Sequence, residues 1–209
     1  MGIFYDFYER RIFPHLMEAG MKSMARLRPA ALADARGEVL ELGFGTGLNL
    51  PHYPEGVTRL STADPMNALG ERVRERIDTA PFPVDVHHLP ADGVLPFEAD
   101  RFDSVTITWT LCTIPDPVAA LREARRVLRP GGRLHFIEHG RSDDPSVARW
   151  QDRVNPVHRR IACGCHLNRR IDAIVEEAGF AILRLERFQL EKAPRIFAET
   201  YQGAAAASA

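Results

Sequence analysis

The chain has 209 residues, enough for one α/β domain with some decoration and too few for two full domains. Hydrophobic residues make up 45% and charged residues 26%, the balance of a soluble globular protein able to bury a substantial core. A formal net charge of -1 leaves no global electrostatic case for nucleic acid as a partner.

Residues 1–36 read as a helical lid. Ile3, Phe4, Phe7, Tyr8, Ile12, Phe13 and Leu16 recur at helical spacing, and Pro14 kinks or divides the helix. Its apolar stripe covers the sheet or closes over a substrate, which makes Phe4 and Tyr8 substrate-side candidates. The opening residues lack the basic start and apolar middle of a secretory signal, and no apolar run reaches about 18 residues. A transmembrane span is therefore not expected, peripheral membrane contact stays open, and the cytoplasm is the expected location.

From residue 37 to 140 strands and helices alternate. GEVLEL is an apolar run leading into Gly43-Phe-Gly-Thr-Gly47; VTRLSTA (57–63) is a second strand candidate, followed by Asp64-Pro65. Residues 66–77 are expected as a helix, 84–88 as a third strand, and the β-branched FDSVTITWT from 102 as a buried fourth. Pro117 opens a helix through Leu128, Pro130-Gly131-Gly132 turns the chain, and RLHFIEH is the fifth strand. Such alternation with short connections predicts a doubly wound, mostly parallel sheet, reaching seven strands with those expected near the C-terminus. Residues 141–170 form a substrate-side insertion with seven arginines against three aspartates. The remainder, 171–209, predicts a helix, strands at FAILRLERF and RIFAETYQ, and a frayed GAAAASA tail.

Glycines at the exit of a buried strand permit a tight turn and let a ligand approach the backbone. Asp64, at the end of the second strand, is placed to accept both hydroxyls of a ribose diol. A dinucleotide site would lead promptly into a helix cradling a pyrophosphate, whereas Leu48-Asn-Leu-Pro51 follows here.

VLELGFGTG, TADP, LPF, FDSVTITWTLCTIPDP and REARRVLRPGGRLHFIEH together resemble the class I S-adenosylmethionine-dependent methyltransferases of the type-11 domain. That resemblance implies a Rossmann-like fold with S-adenosyl-L-methionine as cofactor. It implies that Glu41 supports a loop of Gly43, Gly45 and Gly47, that Asp64 holds the ribose, and that Pro65 and Met66 border the adenine. Ala91 and Asp92 would meet the adenine edge, and Thr110 and Leu111 the methionine end. The Leu-Cys112-Thr, Phe136-Ile-Glu138-His139, Trp150-Gln and Gly164-Cys165-His-Leu-Asn168-Arg stretches are similar to animal methyltransferase-like proteins that methylate thiols. The expected activity is transfer of a methyl group to a small hydrophobic acceptor by in-line displacement, with a thiol as the leading acceptor. A quinol, a phenol or a phospholipid amine is the alternative within the same class; a non-catalytic cofactor-binding protein is the alternative outside it.

On the acceptor side, Glu138 and His139 end the fifth strand at the edge that carries the cofactor loop, and His158 and His166 lie in the insertion. These four are the catalytic candidates. Cys112 is a candidate pocket-wall residue, and Trp150 and Arg153 are further substrate-side candidates. Three cysteines are too few for a disulfide scaffold. Cys163, Cys165 and His166 lack a second CxxC or an acidic partner at ligand spacing, so no metal is expected.

Overall fold

The computed structural model describes Met21 and residues 24–65, 70–90 and 93–208. Phe4, Tyr8, Met66, Ala91 and Asp92, and most of the expected lid, lie outside the described residues.

Seven strands form one sheet in the order β3-β2-β1-β4-β5-β7-β6. They are β1 (Gly37–Leu42), β2 (Val57–Asp64), β3 (Val84–His88), β4 (Phe102–Thr108), β5 (Leu128–His139), β6 (Phe180–Gln189) and β7 (Glu199–Ala207). The first five pair in parallel, and β7 runs antiparallel between β5 and β6. Strand order reverses between β1 and β4, the point at which open α/β sheets bind ligands at the carboxyl ends of their strands.

The helices are α1 (Arg28–Leu32), α2 (Glu71–Asp78), α3 (Pro117–Val127), α4 (Pro145–Ile161), α5 (Ile171–Glu177) and a single turn, α6 (Arg195–Ala198). Pro117 at the first turn and Asp116, whose carboxylate accepts the Ala119 N–H at 2.9 Å, start α3 as a capped helix. Asp144 caps α4 in the same way through Ser146 and Val147. On one face of the sheet, Leu40, Leu42, Val105, Ile107, Leu134 and Phe136 pack under α3 and α5. On the other, Val39 and Leu60 meet Leu32, Phe44, Leu50 and Val73. Both faces being covered explains why the central strands are largely apolar and β-branched rather than alternating apolar and polar. Among the described residues no helix is long and apolar enough to cross a membrane.

Two expectations for the C-terminus are corrected. Arg195–Ala198 is a helical turn, and the strand begins only at Glu199. The GAAAA run is no frayed tail: it is the second half of β7, hydrogen-bonded on both sides. The reason is close packing. A Cβ on Gly203 would stand 2.4 Å from the Arg184 carbonyl and 2.7 Å from the Phe136 ring, so only glycine fits at that position.

Candidate active site

The glycine loop leaves β1 with Gly43, Gly45 and Gly47 all at positive φ. Gly43 is the tightest: a Cβ there would lie 2.1 Å from Thr110 Oγ1. Gly45 is the opposite case, with nothing within 4 Å of the point a Cβ would occupy, so its backbone faces open space. The Asp64 carboxylate, at the end of β2, accepts the Gly45 N–H at 2.7 Å. Arg76 on α2 donates to the Thr46 carbonyl at 2.6 Å and pins the other side of the loop. Pro65 follows at the surface.

Beneath the loop Glu41, expected there from the sequence, centres a polar network whose other members were not anticipated. Buried Glu41 accepts from Asn49 at 2.7 Å and from the Tyr53 hydroxyl at 2.9 Å. Arg28 donates to Asn49 and to Thr108, and its guanidinium stacks over Trp109 at 4.9 Å. Burial pushes the Glu41 carboxyl up to about 7, against the pull of the Tyr53 and Asn49 bonds and the Arg28 charge. Asn49 and Tyr53 flank one short turn after the glycine loop, and Arg28 comes from α1; no motif links the two segments, so only the fold brings them together.

Beside the loop, past the end of β4, a pocket of about 680 Å³ opens; Trp109, Cys112, His139, His158 and Cys165 are among its lining residues. That volume is in the range of small-molecule sites. Trp109 adopts φ 51, rare for a bulky residue and a mark of backbone strain beside the pocket. His139 Nε2 lies 3.0 Å from Cys165 Sγ, and Cys112 completes a cluster whose ligand-type atoms all fall within 4.8 Å of one another. Contact with Cys165 and His139 holds the Cys112 thiol well below its usual range, while the same contact with Cys112, together with burial, pushes Cys165 up. Burial pulls the His139 imidazole down, and the Cys112 sulfur more than offsets this.

Glu138, expected among the catalytic groups, faces inward instead. Its fully buried carboxylate accepts the N–H groups of Thr110 at 2.6 Å, Leu111 at 2.9 Å and Cys112 at 3.3 Å, so it shapes the loop after β4 rather than meeting an acceptor. The Leu111 side chain is likewise in the core, while Thr110 is half-buried with its side chain against Gly43 of the glycine loop. His158 is on the pocket wall; His166 is not among the lining residues, and burial beside Arg169 and Arg159 pushes its imidazole down to about 4. Its backbone N–H binds the Cys112 carbonyl at 2.8 Å.

Trp150 and Arg153 are corrected as substrate-side residues. The buried stripe of α4 is Val147, Ala148, Gln151 and Asn155; Trp150 is 57% exposed on the far side, with the Arg153 guanidinium 5.5 Å from its ring centre. The inward residues do a different job. Gln151 bonds Ser142, Gly140 and Ile196, and Asn155 accepts the Leu167 N–H at 2.9 Å, stitching α4 to the loop that carries Cys165.

The cradle suits a ribose-bearing cofactor: open backbone at Gly45, a carboxylate at Asp64, and Thr110 packed against the loop at Gly43. A family model described as a methyltransferase domain matches residues 40–136. The chain is 37% identical over 170 residues to the human thiol S-methyltransferase TMT1B, covering 75% of this chain and 66% of that protein. It is 30% identical over 195 residues to the rat thiol S-methyltransferase TMT1B, covering 83% of this chain and 77% of the relative. The chain thus spans about two thirds of the human relative's length. A Haloferax volcanii complex of the Trm112 methyltransferase activator with a putative methyltransferase superposes with a TM-score of 0.68 over 98% of both chains at 18% identity, a likeness of fold.

Proposed function

The chain belongs to the S-adenosylmethionine-dependent methyltransferases, and on that premise we propose that it methylates a small hydrophobic thiol. The cofactor carries its methyl group on a sulfonium, which makes that carbon open to in-line attack. In this reading the glycine loop and Asp64 hold the cofactor's ribose, Glu41 and its network brace the loop from below, and Thr110 borders the methionine end. The 37–140 segment is the cofactor half of the fold, and 141–170 supplies α4 and the loop that completes the acceptor pocket.

The observation that carries the thiol assignment is the character of that pocket. It begins at Cys112, two residues past Thr110, and is walled by Met21, Met24, Trp109, Leu167, Leu190 and Phe197. Among its described lining residues the one carboxylate, Glu191, sits at the rim in an ion pair with Arg26 at 3.7 Å. A phenol, with a pKa near 10, needs a strong base at the point of attack; a thiol near 8.5 already offers a few per cent of thiolate at neutral pH. Apolar walls desolvate the acceptor, and a thiol, already partly ionised, asks less of the pocket's bases, His139 and His158, than a phenol does; positioning supplies most of the acceleration. The similarity to two thiol S-methyltransferases supports the same acceptor.

The test is methyl transfer from labelled cofactor to a panel of alkyl and aryl thiols, phenols, quinols and phosphatidylethanolamine, with Asp64→Ala as control. Methylated thiol that disappears in the control is the expected result. Transfer to a quinol or a lipid amine, with none to any thiol, overturns the acceptor and leaves the enzyme class in place.

A further inference from the structure

No ligand spacing in the sequence points to a metal, whereas the fold brings two thiols and an imidazole to one point of the pocket wall. We infer that Cys112, His139 and Cys165 bind a thiophilic metal ion, zinc in the first instance, with the fourth position open to the acceptor thiol. The inference rests on the thiol reading of the acceptor for its role, and on the geometry alone for the site.

Three different segments supply the ligands: the loop leaving β4, the last residue of β5, and the loop after α4. Their donor atoms fall within 4.8 Å of one another, with His139 Nε2 and Cys165 Sγ at 3.0 Å. Around a tetrahedral zinc, with bonds of about 2.0–2.3 Å, neighbouring ligand atoms stand roughly 3.5–4 Å apart. Small rotations about χ1 thus suffice to seat an ion. The backbone around the cluster is fixed independently: His166 N–H to the Cys112 carbonyl at 2.8 Å, Leu167 N–H to Asn155 at 2.9 Å, and Arg169 to the carbonyls of Leu111 and Ile114. Cys112 and Cys165 are both free thiols.

All three ligands line the pocket. A structural zinc site is closed by a fourth protein ligand, while a catalytic one keeps a position for substrate, and a Cys2His set facing a cavity matches the second kind. Two thiolates and a neutral imidazole also cancel the dication's charge. An acceptor thiol, on binding, gives its proton to solvent and stays as a metal-held thiolate. Its lone pair forms the new S–CH3 bond as the methyl–sulfonium bond breaks, the bonding pair returning to the cofactor's sulfur. The product thioether, neutral and a weaker ligand than the thiolate, leaves.

The experiment titrates cobalt(II) into the metal-free, fully reduced full-length protein and then displaces it with zinc, with Cys112→Ser, Cys165→Ser and Cys163→Ser in parallel. One ion per chain is expected, with tetrahedral cobalt bands and sulfur-to-cobalt charge transfer that both cluster variants lose and Cys163→Ser keeps. An added alkyl thiol should shift the cobalt bands. Absence of stoichiometric binding in the wild type, or bands unchanged in both cluster variants, overturns the site; bands indifferent to added thiol overturn its open position. Metal content measured in catalytically active protein separates the two readings. Thiol methylation by a metal-free chain removes the metal and keeps the acceptor; the expected metal binding without thiol methylation removes the acceptor and keeps the site.

Discussion

The Asp64 carboxylate accepts the Gly45 N–H at 2.7 Å, so the group assigned to the ribose is also the tie that holds the glycine loop against β2. Loop and carboxylate are thereby positioned before any cofactor arrives, which lowers the ordering cost of binding. Asp64→Asn keeps an acceptor oxygen for Gly45 and removes the charge. A charge-assisted hydrogen bond contributes about 1.5–3 kcal/mol, so cofactor affinity should fall roughly ten- to a hundredfold with little change in melting temperature. Calorimetric titration with the cofactor checks this; an unchanged Kd removes Asp64 from the site.

Gly43 carries the steric side of the same design. Its φ of 82 is unfavourable for any residue with a Cβ, and that Cβ would collide with Thr110, whose own N–H is held by Glu138. Gly43→Ala should cost about 2–4 kcal/mol of stability, combining overpacking with left-handed backbone strain, and should weaken cofactor binding as well. Adding Thr110→Gly removes the collision but not the strain, so thermal melts of the double variant should show partial recovery. A single variant that melts like the wild type contradicts the assigned geometry.

What was legible in the sequence had a local physical cause. Strands β1, β2, β4 and β5 announce themselves through short runs rich in β-branched and other apolar residues, as central strands covered on both faces require, and the Gly43–Gly47 turn because its backbone requires glycine. Arg28, Asn49 and Tyr53 were not legible: single polar residues without a period, they gain meaning only when Glu41 is buried between them. Nor was the Cys112–His139–Cys165 cluster, whose members lie more than twenty residues apart with no ligand motif. The α4 helix misled in another way. It carries apolar residues on two sides, and the larger ones, Trp150, Val157 and Ile161, are on the exposed side.

That placement makes a deliberately uneventful prediction. Trp150→Ala and Arg153→Ala remove a surface cation–π pair worth about 0.5–1 kcal/mol and nothing in the pocket. Steady-state kcat/KM for a thiol acceptor should stay within about twofold of wild type, given that exposed substitutions seldom cost more than about 0.5 kcal/mol. A tenfold loss would return these residues to the substrate side.

Strand β7 predicts the reverse for the C-terminus. Gly203→Val places a branched side chain 2.4 Å from the Arg184 carbonyl, a backbone atom that cannot turn aside, and against Phe136 in the core. A chain ended after Gln202 loses half of β7 and with it ladder bonds to both β5 and β6. Both changes should abolish cooperative unfolding or precipitate the protein, observable by circular dichroism melts. Wild-type melting of the truncated chain would mean that the run of alanines is dispensable after all.

His135 gives the fold a pH dependence of its own. It sits on β5, 1% exposed, on the strand that α1 packs against, and its Nε2 has no hydrogen-bond partner among the described residues. Burial drives its pKa down to about 4; Asp34 pulls upward, while Arg133, Arg184 and Arg36 add to the depression. In the unfolded chain the same imidazole titrates near 6.5. Between those values the unfolded state binds the proton and the folded state does not, so stability rises with pH across that window. The contribution is complete above about pH 6.5, is lost progressively as pH falls, and levels off once the folded imidazole itself protonates near 4. At about 1.4 kcal/mol per unit, the loss approaches about 3 kcal/mol, or roughly 5–10 °C in melting temperature for a chain of this size. His135→Gln removes the titration while keeping a comparable volume. Melting of the two proteins from pH 7.5 to 4.5 should therefore diverge, the wild type falling more steeply, and parallel curves would show that His135 is protonated in the folded state or reached by water.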